Sequence, residues 1–317
     1  MSPSAPPRRF AIALCAAAWL LPRTWANAAE GQRGLAILYP DIGEPFRSVF
    51  LKIIEGIEEQ ARTRIPAFAV GANVNIQDLS NELRRQDVRV VIALGRNGLK
   101  AASAIDQMGI VAGGVLSVPE ADARRFTVHS LAPDPALLFG QLKNLMPTAK
   151  RVFVVHDPQH NAWLMRRARD AAHAFGVDVV VQEAEDLKTA LRFYQDAFAG
   201  ADPKRDVVWL PQDSTTVDET TVLPYVLQES WNRGVVVFSS SLAHVRRGAL
   251  FALYPNNLEL GRSLANSALA AMGASHPSRG VLPLKEVLVA VNLRTANHLG
   301  IQLGARAQGF DLVFPEP

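Results

Sequence analysis

Short apolar, β-branched runs alternate with helix-periodic segments along most of the chain. Runs at 34–39, 67–71, 88–94, 110–116, 151–155, 177–182, 206–210, 235–239, 249–254 and 287–291 predict strands. Several are apolar at nearly every position, the pattern of parallel strands covered on both faces. Between them, Phe46, Val49, Phe50, Ile53, Ile54 and Ile57 fall at three- and one-residue steps, one buried helix face, and Pro45 suits the first turn. Asp134-Pro135 reads as an N-cap followed by proline at the first helical position. Leu164, Met165, Ala168, Ala172 and Phe175 give a second inward face on a helix from Asn161, ended by Gly176 in the left-handed region. Gly261, Leu264, Ala265, Ala268, Leu269 and Met272 give a third, closed by Gly273.

Strand–helix alternation of this kind builds parallel sheets with right-handed crossovers. The rhythm runs from 34 to about 117, breaks over 117–135 with a single weak strand at 126–130, and resumes from 151 to 239. The expected fold is therefore α/β: two Rossmann-like, doubly wound parallel-sheet lobes joined by a multi-strand hinge. Crossings are expected at 117–135, near 240–248 and near 275–290. That division assigns 29–118 plus about 245–288 to lobe 1, and 119–244 plus about 289–317 to lobe 2.

The N-terminus changes how charge and cysteine are read. Arg8 and Arg9 precede an apolar run from Phe10 to Leu21, Pro22 breaks it, and Ala26-Asn27-Ala28 offers a small-x-small cleavage pattern. That layout predicts a secretory signal over 1–28, cleaved near Ala28, and a periplasmic protein. The pair Arg8-Arg9 lacks the rest of a twin-arginine pattern, and too few apolar residues precede Cys15 for a lipid-anchor signal. Removing Arg8, Arg9 and Arg23 from the 33 basic residues leaves 30, against 30 acidic ones. The +3 of the full chain is thus no argument for nucleic acid as a partner. Cys15, the one cysteine, falls in the leader, which excludes thiol catalysis and disulfides from the remainder.

In open parallel sheets, ligands meet the loops at the carboxyl ends of strands. Those loops supply the candidates Tyr39 and Asp41; Gly95, Arg96 and Asn97; Ser117; Asp157 and Asn161; Asp213; Ser239 and Ser240; and Tyr254. Gly95-Arg96-Asn97-Gly98 combines a tight turn with a guanidinium suited to a carboxylate, or else is a plain β–α turn with a solvated arginine. Asp213 suits a ligand ammonium, or else the N-cap of a helix beginning near Thr216. His156 and His160 stand four apart, but Pro158 between them argues for a loop and no third ligand follows at a recognised spacing, so neither metal nor cofactor is expected. Neither a dinucleotide nor a phosphate-loop glycine pattern occurs, and G-x-S-x-G is missing around Ser239-Ser240-Ser241. An enzyme is not expected.

Five segments in order resemble a known group. They are Leu145-Met146-Pro147-Thr148-Ala149-Lys150-Arg151-Val152, Leu210-Pro211-Gln212-Asp213, Arg247-Gly248-Ala249-Leu250, Leu258-Glu259-Leu260-Gly261, and the close from Val291-Asn292 through Ala296 to Leu299-Gly300-Ile301. Over about 142–301 the chain is similar to the tryptophan/tyrosine-type ABC transporter substrate-binding protein family. The resemblance implies a type I periplasmic-binding fold with three hinge crossings, an amino-acid-like small-molecule solute, and delivery to an inner-membrane ABC permease. A membrane sensor is the alternative partner. The first half departs from the family: Arg96 or Asn97 stands where relatives carry threonine, and Ser117-Val118-Pro119 where they carry aspartate–proline. Phe126-Thr127-Val128-His129-Ser130 likewise stands in place of an asparagine–x–threonine–glycine motif.

Overall fold

The computed structural model describes residues 34–274 and 278–315, so the signal, twin-arginine and Cys15 readings lie outside the described residues. β1 (Leu35–Pro40), α1 (Phe46–Ala61), β2 (Ala67–Val70), α2 (Ile76–Arg85), β3 (Val90–Leu94), α3 (Gly95–Ser103), β4 (Gly109–Val115), α4 (Glu120–Ala123) and β5 (Thr127–Pro133) follow in order. Then come α5 (Pro135–Leu145), β6 (Arg151–His156), α6 (Pro158–Ala174), β7 (Asp178–Glu183), α7 (Leu187–Ala199), β8 (Asp206–Leu210), α8 (Val222–Arg233), β9 (Val236–Ser239), α9 (Leu242–Arg247) and β10 (Phe251–Pro255). The chain continues with α10 (Asn257–Gly273), β11 (Gly280–Leu284), β12 (Val287–Asn292), α11 (Leu293–His298), a 3-10 turn at Gly304–Gly309 and β13 (Leu312–Phe314).

Two sheets result, ordered β11-β5-β4-β3-β1-β2 and β13-β12-β10-β9-β8-β6-β7. Their pairings are parallel except β10 with β12. Each sheet is buried on both faces, which explains the unbroken apolar runs. In β1, Leu35 and Ile37 join the core that holds Ile53, Ile57 and Leu264, while Ala36 and Leu38 join the opposite core with Leu83 and Ala112. The second sheet divides in the same way between a Phe139–Trp209–Phe238 core and one around Tyr194 and Val208.

The expected caps form: Asp134 accepts from the Ala136 amide at 3.0 Å, and Gly176 takes φ +57°. Where α1 crosses α10 the packing is backbone to backbone. A Cβ at Gly56 would collide with the Leu258 carbonyl, and one at Gly261 with the Ile53 carbonyl.

The chain changes sheet after β5, after β10 and between β11 and β12, with the three strands of connection side by side. The Asp134 amide donates to Leu284 O at 2.8 Å and the Asn256 amide to Glu286 O at 2.9 Å. The first crossing follows Pro133, at the far end of the 117–135 stretch, and the second follows Pro255, beyond 240–248, so the lobe boundaries expected at 118 and about 245 move to later residues; the third lies between Leu284 and Val287, within 275–290. The weak strand expected at 126–130 extends to Pro133 and pairs with β4, so it belongs to the first sheet. α9 and β10 stay in the second sheet, because β10 pairs with both β9 and β12. β11 and β13 escape the sequence pattern: β11 is an edge strand with a proline and little burial, and β13 has three residues.

Candidate functional site

The carboxyl ends of strands from both sheets open on one cleft of about 490 Å³. Lobe 1 contributes Arg96, Leu116 and Ser117; lobe 2 contributes His160, Asn161, Gln212, Asp213, Thr215, Asp218, Glu219, Ser241 and His244. An adjoining hollow of about 540 Å³ shares Arg96, Ser117 and His160 and adds Lys100 and Gln159. A third, of about 460 Å³ around Arg84, Asp87 and Gln107, lies wholly within lobe 1.

The polar floor of lobe 2 is built around Asp213, which is 8% exposed. One carboxylate oxygen accepts the Asp157 amide at 2.7 Å and Asn161 Nδ2 at 2.9 Å. The other accepts the Thr215 and Thr216 amides at 3.0 and 3.2 Å. Asp213 therefore ties the loops after β6 and β8 together, and its accepting capacity is largely used. It caps a turn at 213–217, whose Val217 amide donates to Asp213 O at 2.8 Å; the helix expected near Thr216 starts only at Val222.

Asp157 is the N-cap of α6, accepting the Gln159 amide at 2.9 Å, with Thr215 Oγ1 at 2.9 Å and His160 Nδ1 at 3.0 Å on its other oxygen. Burial pulls its pKa up, but these hydrogen bonds outweigh that and hold it below the usual carboxylate value. Pro158 is not in a loop; it opens α6, leaving His156 buried at the strand end and His160 exposed on the first turn. Among the described residues no group of three metal-binding side chains forms. Burial lowers the pKa of His156, whose Nδ1 has no hydrogen-bond partner.

Ser239 and Ser240 are turned into the framework. Ser239 Oγ donates to Leu210 O at 3.0 Å, accepts the Ser241 amide at 3.0 Å and lies 2.8 Å from His244 Nδ1. Ser240 Oγ accepts from Trp209 Nε1 at 3.1 Å. The Ser239 hydroxyl is fully buried and committed, so the Ser239–His244 pair positions an imidazole and does not offer a nucleophile. Burial drives the His244 pKa down to about 4, which keeps that imidazole neutral at the cleft wall.

On lobe 1, Gly95-Arg96-Asn97-Gly98 forms the first turn of α3 directly at the end of β3. Gly95 adopts φ +65°, and a Cβ there would strike Pro40 and Phe50. That turn sets Arg96 on the cleft wall and leaves Asn97 exposed outside its lining. Tyr39 and Tyr254 pack partly buried on their lobes' cores, and Asp41 is exposed with its amide on Val70 O at 3.0 Å. These three do not reach the cleft lining.

Glu219 is not among the loop residues the sequence offers as candidates. Its exposed side chain lines the cleft, makes no hydrogen bond or ion pair among the described residues, and pulls electrostatically on His244. Asp218 beside it is committed to Thr220 and Thr221. The accessible charges are thus Arg96 on one wall and Glu219 on the other, a geometry that suits a ligand carrying an anionic and a cationic end. The signal available in the sequence was the run of four polar residues, Asp218 to Thr221.

A family model described as ABC transporter substrate binding protein matches residues 139–307, more than half of the chain. A search of curated proteins finds no match. Among solved structures, a Streptococcus pneumonia ABC domain in complex with L-Trp aligns at TM-score 0.54 and 15% identity, covering 88% of this chain and 99% of that one. A ligand-free, open substrate binding protein with adhesive properties from Clostridium difficile aligns at TM-score 0.62 and 16% identity, over 88% and 98%. A conserved domain protein from Vibrio cholerae gives TM-score 0.53 at 17% identity, over 88% and 98%. At these identities the likeness is one of fold.

Proposed function

The chain belongs to the ABC transporter substrate binding protein family, and from that premise we propose that it captures a small zwitterionic solute, amino-acid-like, in the periplasm and delivers it to an inner-membrane ABC permease. The observation that carries the reading is the pair of accessible opposite charges, Arg96 and Glu219, on facing walls of a cleft whose other carboxylates are satisfied internally. A solute that bonds to both walls favours the closed arrangement over the open one, so binding shifts the lobe population without any bond being made or broken. The L-Trp bound by the Streptococcus pneumonia neighbour agrees with an amino-acid-like ligand. Among the described residues no helix is long and apolar enough to cross a membrane.

The test is to unfold and refold the purified protein to strip carried-over solute, then measure melting temperature against amino acids, short peptides, nucleosides, organic acids and sugars. A ligand at a hundred times its Kd adds about 2.7 kcal/mol. The expected result is stabilisation by one zwitterionic group of compounds. Stabilisation by sugars alone, or by nothing, would refute the assignment.

A further inference from the structure

A further recess, of about 400 Å³, lies on lobe 2 outside the cleft lining, between α8, α9, α11 and β13. Its wall carries Trp231, Arg247 and Arg294, and no aspartate or glutamate is among its described lining residues. Trp231 remains 39% exposed, yet its ring is fixed. His298 stacks on it with ring centroids 3.5 Å apart and planes 5° from parallel, and a His298 ring nitrogen lies 2.9 Å from Trp231 O. The Arg294 guanidinium lies 5.5 Å from the same ring. The floor is equally held, with Asn292 Nδ2 donating to Val245 O at 2.9 Å and Thr295 Oγ1 to Gly248 O at 2.9 Å.

A preorganised aromatic plate flanked by guanidinium groups is the composition of a protein-recognition hot spot, and the charge of the recess selects its occupant. We propose that this recess is a docking site for an acidic segment of a partner protein, carboxylates on Arg247 and Arg294 and an apolar stem on Trp231. A flat basic surface would suit a membrane, whereas this concavity takes one or two side chains. The inference does not depend on what the cleft binds. It also places docking next to the cleft: Arg247 Nη1 donates to Glu219 O at 2.8 Å, and α9 carries Arg247 at one end and His244, on the cleft wall, near the other.

Fluorescence anisotropy of a labelled oligo-glutamate decamer, with an oligo-lysine decamer as control, tests this on the purified protein. Binding of the glutamate peptide alone is expected. Arg247→Glu and Arg294→Glu should each weaken it at least tenfold and Trp231→Ala several-fold. Arg192→Glu, an equal change of net charge on the exposed face of α7, should leave it unaltered. Melting curves close to wild type certify that the variants fold. The proposal is overturned if the wild type fails to bind the decamer at millimolar concentration or if Arg192→Glu weakens binding as much as Arg294→Glu. It is also overturned if free citrate binds as tightly as the peptide, or if phosphatidylglycerol vesicles capture the protein through the same arginines while the peptide does not.

Discussion

Asp213 shows how burial decides what a carboxylate does. Four donors converge on it, three of them backbone amides, so it holds two loops in register instead of waiting for a ligand. Asp213→Ala strands those donors and should lower unfolding free energy by about 2–4 kcal/mol in denaturant titration, with solute affinity changed only a few-fold. Arg96→Gln and Glu219→Gln should do the reverse, weakening solute binding roughly 10- to 100-fold in calorimetry at unchanged stability, the scale of a hydrogen bond to a charged group. His244 adds a pH signature. Its pKa falls from about 6.5 in the unfolded chain to about 4 in the fold, so the unfolded state takes the proton first as pH drops. Its contribution is complete above pH 6.5 and is lost toward pH 4, on the order of 2 kcal/mol between pH 7 and 4.5. Burial lowers His129 and His156 in the same direction. His244→Gln should flatten the stability profile over that window; an unchanged profile would contradict a buried, neutral imidazole.

At the scale of elements, what the sequence made legible is what repetition encodes. The strands buried on both faces stand within about two residues of the apolar runs, because each of their positions meets a core. The caps at Asp134 and Gly176 were readable since a single side chain or φ value sets them. β11 and β13 were not, because edge pairing depends on neighbours distant in sequence and leaves no period. The same limit hid the cleft chemistry: nothing local distinguishes Asp213, saturated by Asp157 and Asn161 from more than fifty residues away, from Glu219, which is left accessible. Gly56 and Gly261 are a related case, legible as helix positions but not as the point where α1 and α10 touch. Gly261→Leu forces the helices apart and should cost about 3 kcal/mol or more in thermal or denaturant unfolding, whereas Gly273→Ala, with open space around it, should be neutral or mildly stabilising.

For the whole molecule, three adjacent crossings join two separately cored sheets, and the Asp134–Leu284 and Asn256–Glu286 hydrogen bonds tie those connections side by side. A cleft of this size between such lobes holds one small molecule, and closure needs contacts from both walls. Capture without conversion is the central claim. Native mass spectrometry of the stripped protein, incubated with an equimolar mixture of amino acids and related zwitterions, tests it most directly. The account predicts one adduct per chain, released on denaturation with its mass unchanged and lost in Arg96→Gln. An adduct that persists undiminished in both Arg96→Gln and Glu219→Gln, or a released species of altered mass, would contradict it.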